Sequence, residues 1–294
     1  MDNKRGTIYL LVASVCFGMY GVYSRMIGDV FEPFTQNWTK NFIVLVLLSI
    51  FLVFNRSKLK QIQKQGAGWL FIWAITSSLI MVPLFVAYNN LSLGTTYFLF
   101  YSTLIIFGII GGGMILKEKL NATKIFSIIF ALVGLGFVYS VEFSDDKLQY
   151  ILLSLLAGAM MGFLNSFYKK VVDQYSQAQL IWMDALFSSL INLVVAIAIS
   201  EGIPSFQHST SWGWLGLYAI TQIGAIAFFI LGMKKLEVQI ATLIMPVEVV
   251  FATIFGFLFF AETLSWMALL GGGLIGFAAM LPSIRKNATI DLGK

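Results

Sequence analysis

Apolar residues run along the chain in long blocks, each closed by a short polar stretch. A helix rising 1.5 Å per residue needs roughly 20 mainly apolar residues to cross about 30 Å of hydrocarbon. Ten segments meet that length: 7–26, 34–54, 69–89, 95–116, 122–140, 149–168, 179–200, 212–233, 239–260 and 264–283. Their connections are short and polar and leave no extramembrane domain. Lys4 and Arg5 ahead of the first segment imitate a secretory signal. That segment is too long for one, lacks a small-residue cleavage site and is followed by nine more, so it is read as retained. The pattern predicts an all-α polytopic membrane protein of ten transmembrane helices.

Composition agrees. Of 294 residues, 59% are hydrophobic and 11% charged, and the mean hydropathy is +0.86. A soluble domain carries about 25% charged residues, so the chain has too little polar surface to stay in water. The net charge of +5 would suggest nucleic acid only if the basic residues clustered on a soluble face. Instead, sixteen of the nineteen Lys and Arg residues fall in alternate connections and at the termini, on the side where the chain begins. The positive-inside rule then places both termini in the cytoplasm, with the cytoplasmic membrane of a prokaryote as the expected location. Cys16 is the only cysteine and lies inside the first span; His208 is the only histidine and lies in a polar connection. Disulfides, His/Cys metal sites and cofactors are therefore not expected. The expected partners are a small solute and membrane lipid, not nucleic acid, with the chain a monomer or a homodimer.

Sliding the chain on itself by 144 residues pairs Leu11 with Leu155, Ala13 with Ala157, Gly18 with Gly162 and Trp38 with Trp182. The same offset pairs Phe85 with Phe229, Phe107 with Phe251, Gly112 with Gly256, Glu118 with Glu262 and Leu120 with Leu264. Basic Arg25 meets basic Lys169. Residues 1–144 and 145–294 thus read as two five-helix repeats, and an odd number of spans forces them into opposite orientations. Inverted repeats around a midplane site are the architecture of many secondary transporters.

On these residues the chain resembles the drug/metabolite transporter superfamily, in its ten-helix EamA-type branch. The resemblance rests on Phe17-Gly18 with Arg25, on Pro33 with Lys40, on Gly112-x5-Glu118-x-Leu120 and its echo Gly256-x5-Glu262-x-Leu264, and on Val247-Glu248-Val249-Val250-Phe251-Ala252. Phe17 stands where the family usually has Trp, Lys40 where it has Arg, and Val249 where it has Pro, with a proline at Pro246 instead. What the resemblance implies is solute transport, with the solute itself left open.

Glu248 stands out among the candidate functional residues. It lies nine residues past Gln239, about 13 Å into the membrane by helix rise. A carboxylate there costs about 2.5 kcal/mol or more and should face the bundle interior. It reads as a counter-charge for a cationic group of the solute, as a proton carrier, or as a protonated acid bonded to a neighbouring helix. Pro83 and Pro246 should kink the third and ninth helices; their repeat partners are Ala227 and Ser102. Lys40 and Asp184 are repeat partners entering from opposite faces, read as charges at the cavity mouths or as structural ion partners, and not expected to pair with each other. Asn165, Gln222, Ser102 and Thr76 are polar residues inside spans, whose default role is interhelical hydrogen bonding. Tyr20, Trp73, Tyr101, Trp182 and Tyr218 could line an aromatic cavity. The glycine triplets at 111–113 and 271–273 lack the strand and Lys-Ser/Thr frame of a phosphate loop. The expectation is a secondary transporter moving a small metabolite, an amino acid or similar, by export with alternating access, with proton coupling open. The alternatives are a small-solute channel and an intramembrane enzyme. No span carries a His or an acidic pair at helical spacing to serve the last.

Overall fold

The computed structural model describes residues 3–61, 64–91, 93–139, 147–202 and 209–288. His208 and the boundary between 144 and 145 lie outside them. Among the described residues, thirteen α-helices build ten spans. The first five spans are α1 (Asn3–Gly18) with α2 (Tyr20–Ile27), α3 (Pro33–Phe54), α4 (Lys64–Leu79) with α5 (Met81–Asn90), α6 (Leu93–Leu116) and α7 (Ala122–Val138). The second five are α8 (Leu148–Val171), α9 (Gln177–Ala198), α10 (Ser209–Lys235), α11 (Val238–Ile244) with α12 (Val247–Phe260), and α13 (Trp266–Ala288). Eight spans are long and apolar enough to cross a membrane, and two, Ala122–Val138 and Trp266–Pro282, are shorter.

Local chemistry sets several of the boundaries. Pro33 opens α3 at a position where a missing N–H costs nothing. Asn121 caps α7 by accepting from the Lys124 N–H at 2.9 Å, and Ser176 caps α9 by accepting from the Gln179 N–H at 3.2 Å. The surface is apolar, with Phe54, Val194, Ile197, Leu258 and Trp266 exposed, while Ser78, Ser127, Ser154, Asn192 and Thr242 are fully buried. That is the arrangement hydrocarbon solvent demands.

The two halves repeat in packing as well as in sequence. In the first half, α1 packs on α10 and on α12; in the second, the equivalent α8 packs on α4 and α5 and on α6. Spans two and seven pack on each other as α3 and α9, and spans five and ten as α7 and α13. The match holds at single atoms. Gly18 lies against Phe251, the Ala252 nitrogen and the Glu248 carbonyl; Gly162 lies against Phe107, the Gly108 nitrogen and the Leu104 carbonyl. Each of these residues is 144 removed from its counterpart. A Cβ on Gly162 would stand 2.6 Å from the Gly108 nitrogen, so the close crossing requires glycine.

Three spans are broken, at Met19, at Ile80 and at Met245–Pro246, and their repeat equivalents in α8, α10 and α6 run through unbroken. Pro83 removes the donor that Leu79 would have used. Pro246 does the same to Thr242, and the chain then tightens: the N–H groups of Glu248 and Val249 donate to residues three back, Met245 and Pro246, at 3.1 and 3.0 Å. Helix α12 starts afresh there, with Pro246 as its N-cap and Glu248 in its first turn. The break at Met19 follows Gly18, where α1 presses on α12; no proline marks it.

Candidate functional site

The candidate site lies beside the break between α11 and α12, where α1 and α2 pack on α12. Glu248, partly exposed in its interior setting, accepts a hydrogen bond from the hydroxyl of Tyr101 on α6. The positive end of the α12 dipole points at this carboxyl group. Tyr101 is 2% exposed and stacks on Tyr97, which stacks in turn on Tyr139, with centroids 6.1 and 5.9 Å apart. Asn165 on α8 reaches the break directly, its amide donating to the Met245 sulfur at 3.3 Å.

A second group faces it from α2, α3 and α10. The rings of Tyr20 and Tyr218 meet edge to face at 4.6 Å, and Tyr23 stacks on Tyr218 at 5.5 Å. Lys40 on α3 places its Nζ 4.2 Å from the Tyr218 centroid and 5.5 Å from that of Tyr20. The Tyr20 hydroxyl is buried without a hydrogen-bond partner. Gln222 donates to Asn41 at 2.8 Å, and its own carbonyl oxygen has no partner. Asp184 on α9 lies within electrostatic reach of Lys40 and Tyr20, and the nearby Ser77 hydroxyl donates to the Ala74 carbonyl at 2.9 Å. Lys40 and Asp184 make no direct ion pair among the described residues.

The two groups share Tyr20, which lies within electrostatic reach of Glu248. Trp73 stands apart at the end of a chain of rings: it contacts Tyr168 at 5.1 Å, Tyr168 contacts Phe229 at 5.6 Å, Phe229 contacts Phe17 at 6.4 Å, and Phe17 contacts Tyr20 at 5.3 Å. Trp182 is held elsewhere, its indole N–H donating to Ser49 at 2.8 Å. Tyr97, Tyr139, Tyr168, Asn41 and Ser77 join the site without having been marked in the sequence. Tyr97 could have been found, being four residues before Tyr101 on one helix face. Tyr139 and Tyr168 arrive through tertiary packing alone. A cavity of about 240 Å³ lined by Val138, Val250, Ile254 and Leu269 lies between α12 and α13 and holds none of these groups.

The two ends of the bundle are closed differently. Each Gly-x5-Glu motif ends its helix through a left-handed residue, Lys117 at φ 57° and Ala261 at φ 52°. The Glu118 and Glu262 N–H groups then donate back six residues, to the carbonyls of Gly112 and Gly256 at 3.0 and 3.4 Å, so both halves close the helix with the same left-handed cap. The missing Cβ of each glycine leaves room for the carboxylate. At the face where α1 begins, Glu118 uses that carboxylate to accept from the Val238 and Gln239 N–H groups at 2.7 and 2.9 Å, capping α11. Lys124 binds Glu237 at 2.7 Å and the Lys119 carbonyl at 2.8 Å. Lys169 donates to the carbonyls of Met233 and Leu236 at the end of α10. At the far face the equivalent Glu262 pairs with Arg25, both about half exposed, and Arg25 lies over the Phe260 ring at 4.8 Å. There α12 packs on α1, α2 and α13, whereas α11 also packs on α6, α7 and α8.

Comparison with known proteins fits this geometry. The sequence profile of the EamA-like transporter family matches residues 4–140 and again residues 148–284. The chain is 26% identical over 264 residues to a riboflavin transporter, ImpX, of Fusobacterium nucleatum subsp. nucleatum, covering 83% of this chain and 86% of that one. It is 23% identical over 293 residues to an uncharacterized transporter of Helicobacter pylori strain J99, covering 96% of both. A solved crystal structure superposes with a TM-score of 0.79 over 98% of this chain and 99% of the other at 14% identity, a likeness of fold.

Proposed function

The chain belongs to the EamA-like transporter family, and from that premise we propose that it exports a small metabolite, an amino acid or similar compound, by alternating access, with protons coupled through Glu248. It is an integral membrane transporter. The proposal adds solute class, direction and mechanism. Glu248, Tyr101, Asn165, Tyr20, Tyr218 and Gln222 line the solute site, with Trp73 at the end of the ring chain. Lys40 and Asp184 are the charges that flank it. Pro83 and Pro246 break the two spans that must bend. The Lys and Arg distribution supports a cytoplasmic position for both termini, which makes the latched face the inner one on this reading.

One observation carries the mechanism. Two halves that match in sequence and in helix crossings are closed unequally around the ninth span: Glu118, Lys124 and Glu237 hold the start of α11 at one face, whereas Glu262 past the end of α12 makes a half-exposed ion pair with Arg25 at the other. An inverted repeat caught in one of two exchangeable states has this form, whereas a pore open to both sides does not require it. A planar aromatic solute of the kind named for the Fusobacterium relative is the second reading, favoured by the Tyr97–Tyr101–Tyr139 stack. Reconstituted protein decides between them. Counterflow of labelled amino acids and of riboflavin is measured at two pH values, with and without sodium, for wild type and Glu248→Gln. Counterflow that Glu248→Gln abolishes supports the mechanism. Ion-channel-like flux with no counterflow of any solute overturns it.

A further inference from the structure

Three ionisable groups lie at the site, and they are not served equally. Glu248 accepts from the Tyr101 hydroxyl, and Asp184 lies within electrostatic reach of Lys40 without a direct ion pair among the described residues. Lys40, 7% exposed, has only ring faces, those of Tyr218 and Tyr20. Among the described residues no carboxylate oxygen lies within 4.0 Å of its Nζ, and no oxygen acceptor is recorded for it. An ammonium group carries three donors and no acceptor, and a charge taken out of water is tolerated only when paired and hydrogen-bonded. Cation–π contact satisfies the charge in part and leaves the donors unused. Beside it the Tyr20 hydroxyl is buried and also unpartnered. A cation and a hydroxyl donor, both idle and both against one pair of rings, form one half of a binding site for an oxyanion.

We propose that Lys40, framed by Tyr20 and Tyr218, is the docking point for a carboxylate of the transported solute, so that the transported class is organic acids or zwitterions carrying a ring or an apolar body. This rests on the transport reading above and deepens it. The carboxylate takes the ammonium and Tyr20 donors, while the body of the solute lies along the Tyr218 and Tyr20 faces. Charge sets the sign of the selection: Glu248 already holds the Tyr101 donor, whereas the Lys40 ammonium over the Tyr20 and Tyr218 rings and the buried Tyr20 hydroxyl have no acceptor among the described residues, so the group the site lacks is an anion. Replacement of Lys40 by its repeat partner's chemistry, an aspartate, would reverse the preference.

The probes are four compounds sharing one ring: 3-phenylpropionate, phenylalanine, 3-phenylpropanamide and phenethylamine. Binding to purified protein is read by thermal stabilisation, and counterflow by reconstitution. Wild type is expected to bind the two carboxylate-bearing probes at least about tenfold more tightly than the amide, the worth of one charge-assisted hydrogen bond. Lys40→Met should erase that difference, and Lys40→Arg should keep it. The wild-type comparison of acid with amide stands even where Lys40→Met does not fold. Equal binding of acid and amide by wild type, or an undiminished acid preference in folded Lys40→Met, overturns the proposal. So does a failure of both carboxylate-bearing probes to bind. A cationic or neutral solute that moves by counterflow, with no acid moving, overturns this inference while leaving the transport reading intact.

Discussion

Removing the Glu118 carboxylate should release the start of α11. The side chain accepts from two backbone N–H groups, Val238 at 2.7 Å and Gln239 at 2.9 Å, and both residues are buried to 1% exposure or less. Hydrogen bonds to a charged group are worth about 1.5–3 kcal/mol each. Because Glu118 is itself partly exposed, the lower end applies. Glu118→Ala loses both bonds and leaves two buried donors without acceptors, so it should cost about 3 kcal/mol; Glu118→Gln keeps one acceptor oxygen and should cost about half of that. The repeat partner supplies the control. Glu262 makes a half-exposed ion pair with Arg25, which is worth about 1 kcal/mol at most. Hydrogen exchange of a peptide spanning 236–245 reads the cap directly, and heat-induced unfolding in detergent ranks the variants. Exchange there should rise in Glu118→Ala and stay unchanged in Glu262→Ala. Equal thermal losses in the two alanine variants, or an unaltered 236–245 peptide in Glu118→Ala, would show that the carboxylate does not hold this helix.

Three other perturbations test separate parts of the structure. Gly162→Ala drives a methyl group to 2.6 Å from the Gly108 nitrogen and 2.8 Å from the Leu104 carbonyl, and should cost about 1–3 kcal/mol as an overpacked crossing. Gly273→Ala, with nothing within 4 Å, should be neutral or slightly stabilising in the same melting assay. Tyr101→Phe removes the donor to Glu248 and should lower counterflow about tenfold or more. Its effect should add little to that of Glu248→Gln, since the two act through one bond, and full additivity in the double variant would separate them. Pro246→Ala restores a donor to the Thr242 carbonyl and should let α11 and α12 fuse, slowing transport while leaving the folded protein as stable or more so. Unchanged counterflow would remove the break from the mechanism.

The span count and the inverted repeat were legible because both are written in long, redundant patterns. Twenty apolar residues announce a crossing helix whatever their order, and a repeat needs only a few rare residues in phase. Gly18 and Gly162 were readable as a pair; that each lies against a backbone 144 residues from the other's needed coordinates. Lys40 and Asp184 were readable as charges inside their spans; that the packing of α3 on α9 brings them within electrostatic reach of each other came only from the fold. The break at Met19 left no mark, since a glycine in a membrane helix signals close packing as often as a break. Tyr139 joined the Tyr97–Tyr101 stack from the end of another span, and no periodicity within one helix reports that.

The offset of 144 also separates two kinds of residue. Where the halves agree, the shared residue serves the frame: Gly18 and Gly162 let helices cross, while Gly112 with Glu118 and Gly256 with Glu262 form the same cap. Where they disagree, chemistry gathers. Glu248 faces Leu104 in the alignment, Lys40 faces Asp184, Pro246 faces Ser102, and the latch residues Lys124 and Glu237 face Ala268 and Leu93. An exact duplicate would have equal free energy in its two facing states and would present the same groups to a solute from either side. The unmatched residues remove that equivalence. Lys124 and Glu237 add a bonded pair at one face only, so the empty carrier should rest with that face closed. On the proposed reading, Glu248 and Lys40 would give the solute site a direction, with a carboxyl group on the ninth span and an ammonium on the second. Matched residues would then make the exchange of states geometrically possible, and unmatched ones would decide which state is occupied and what can be carried through it.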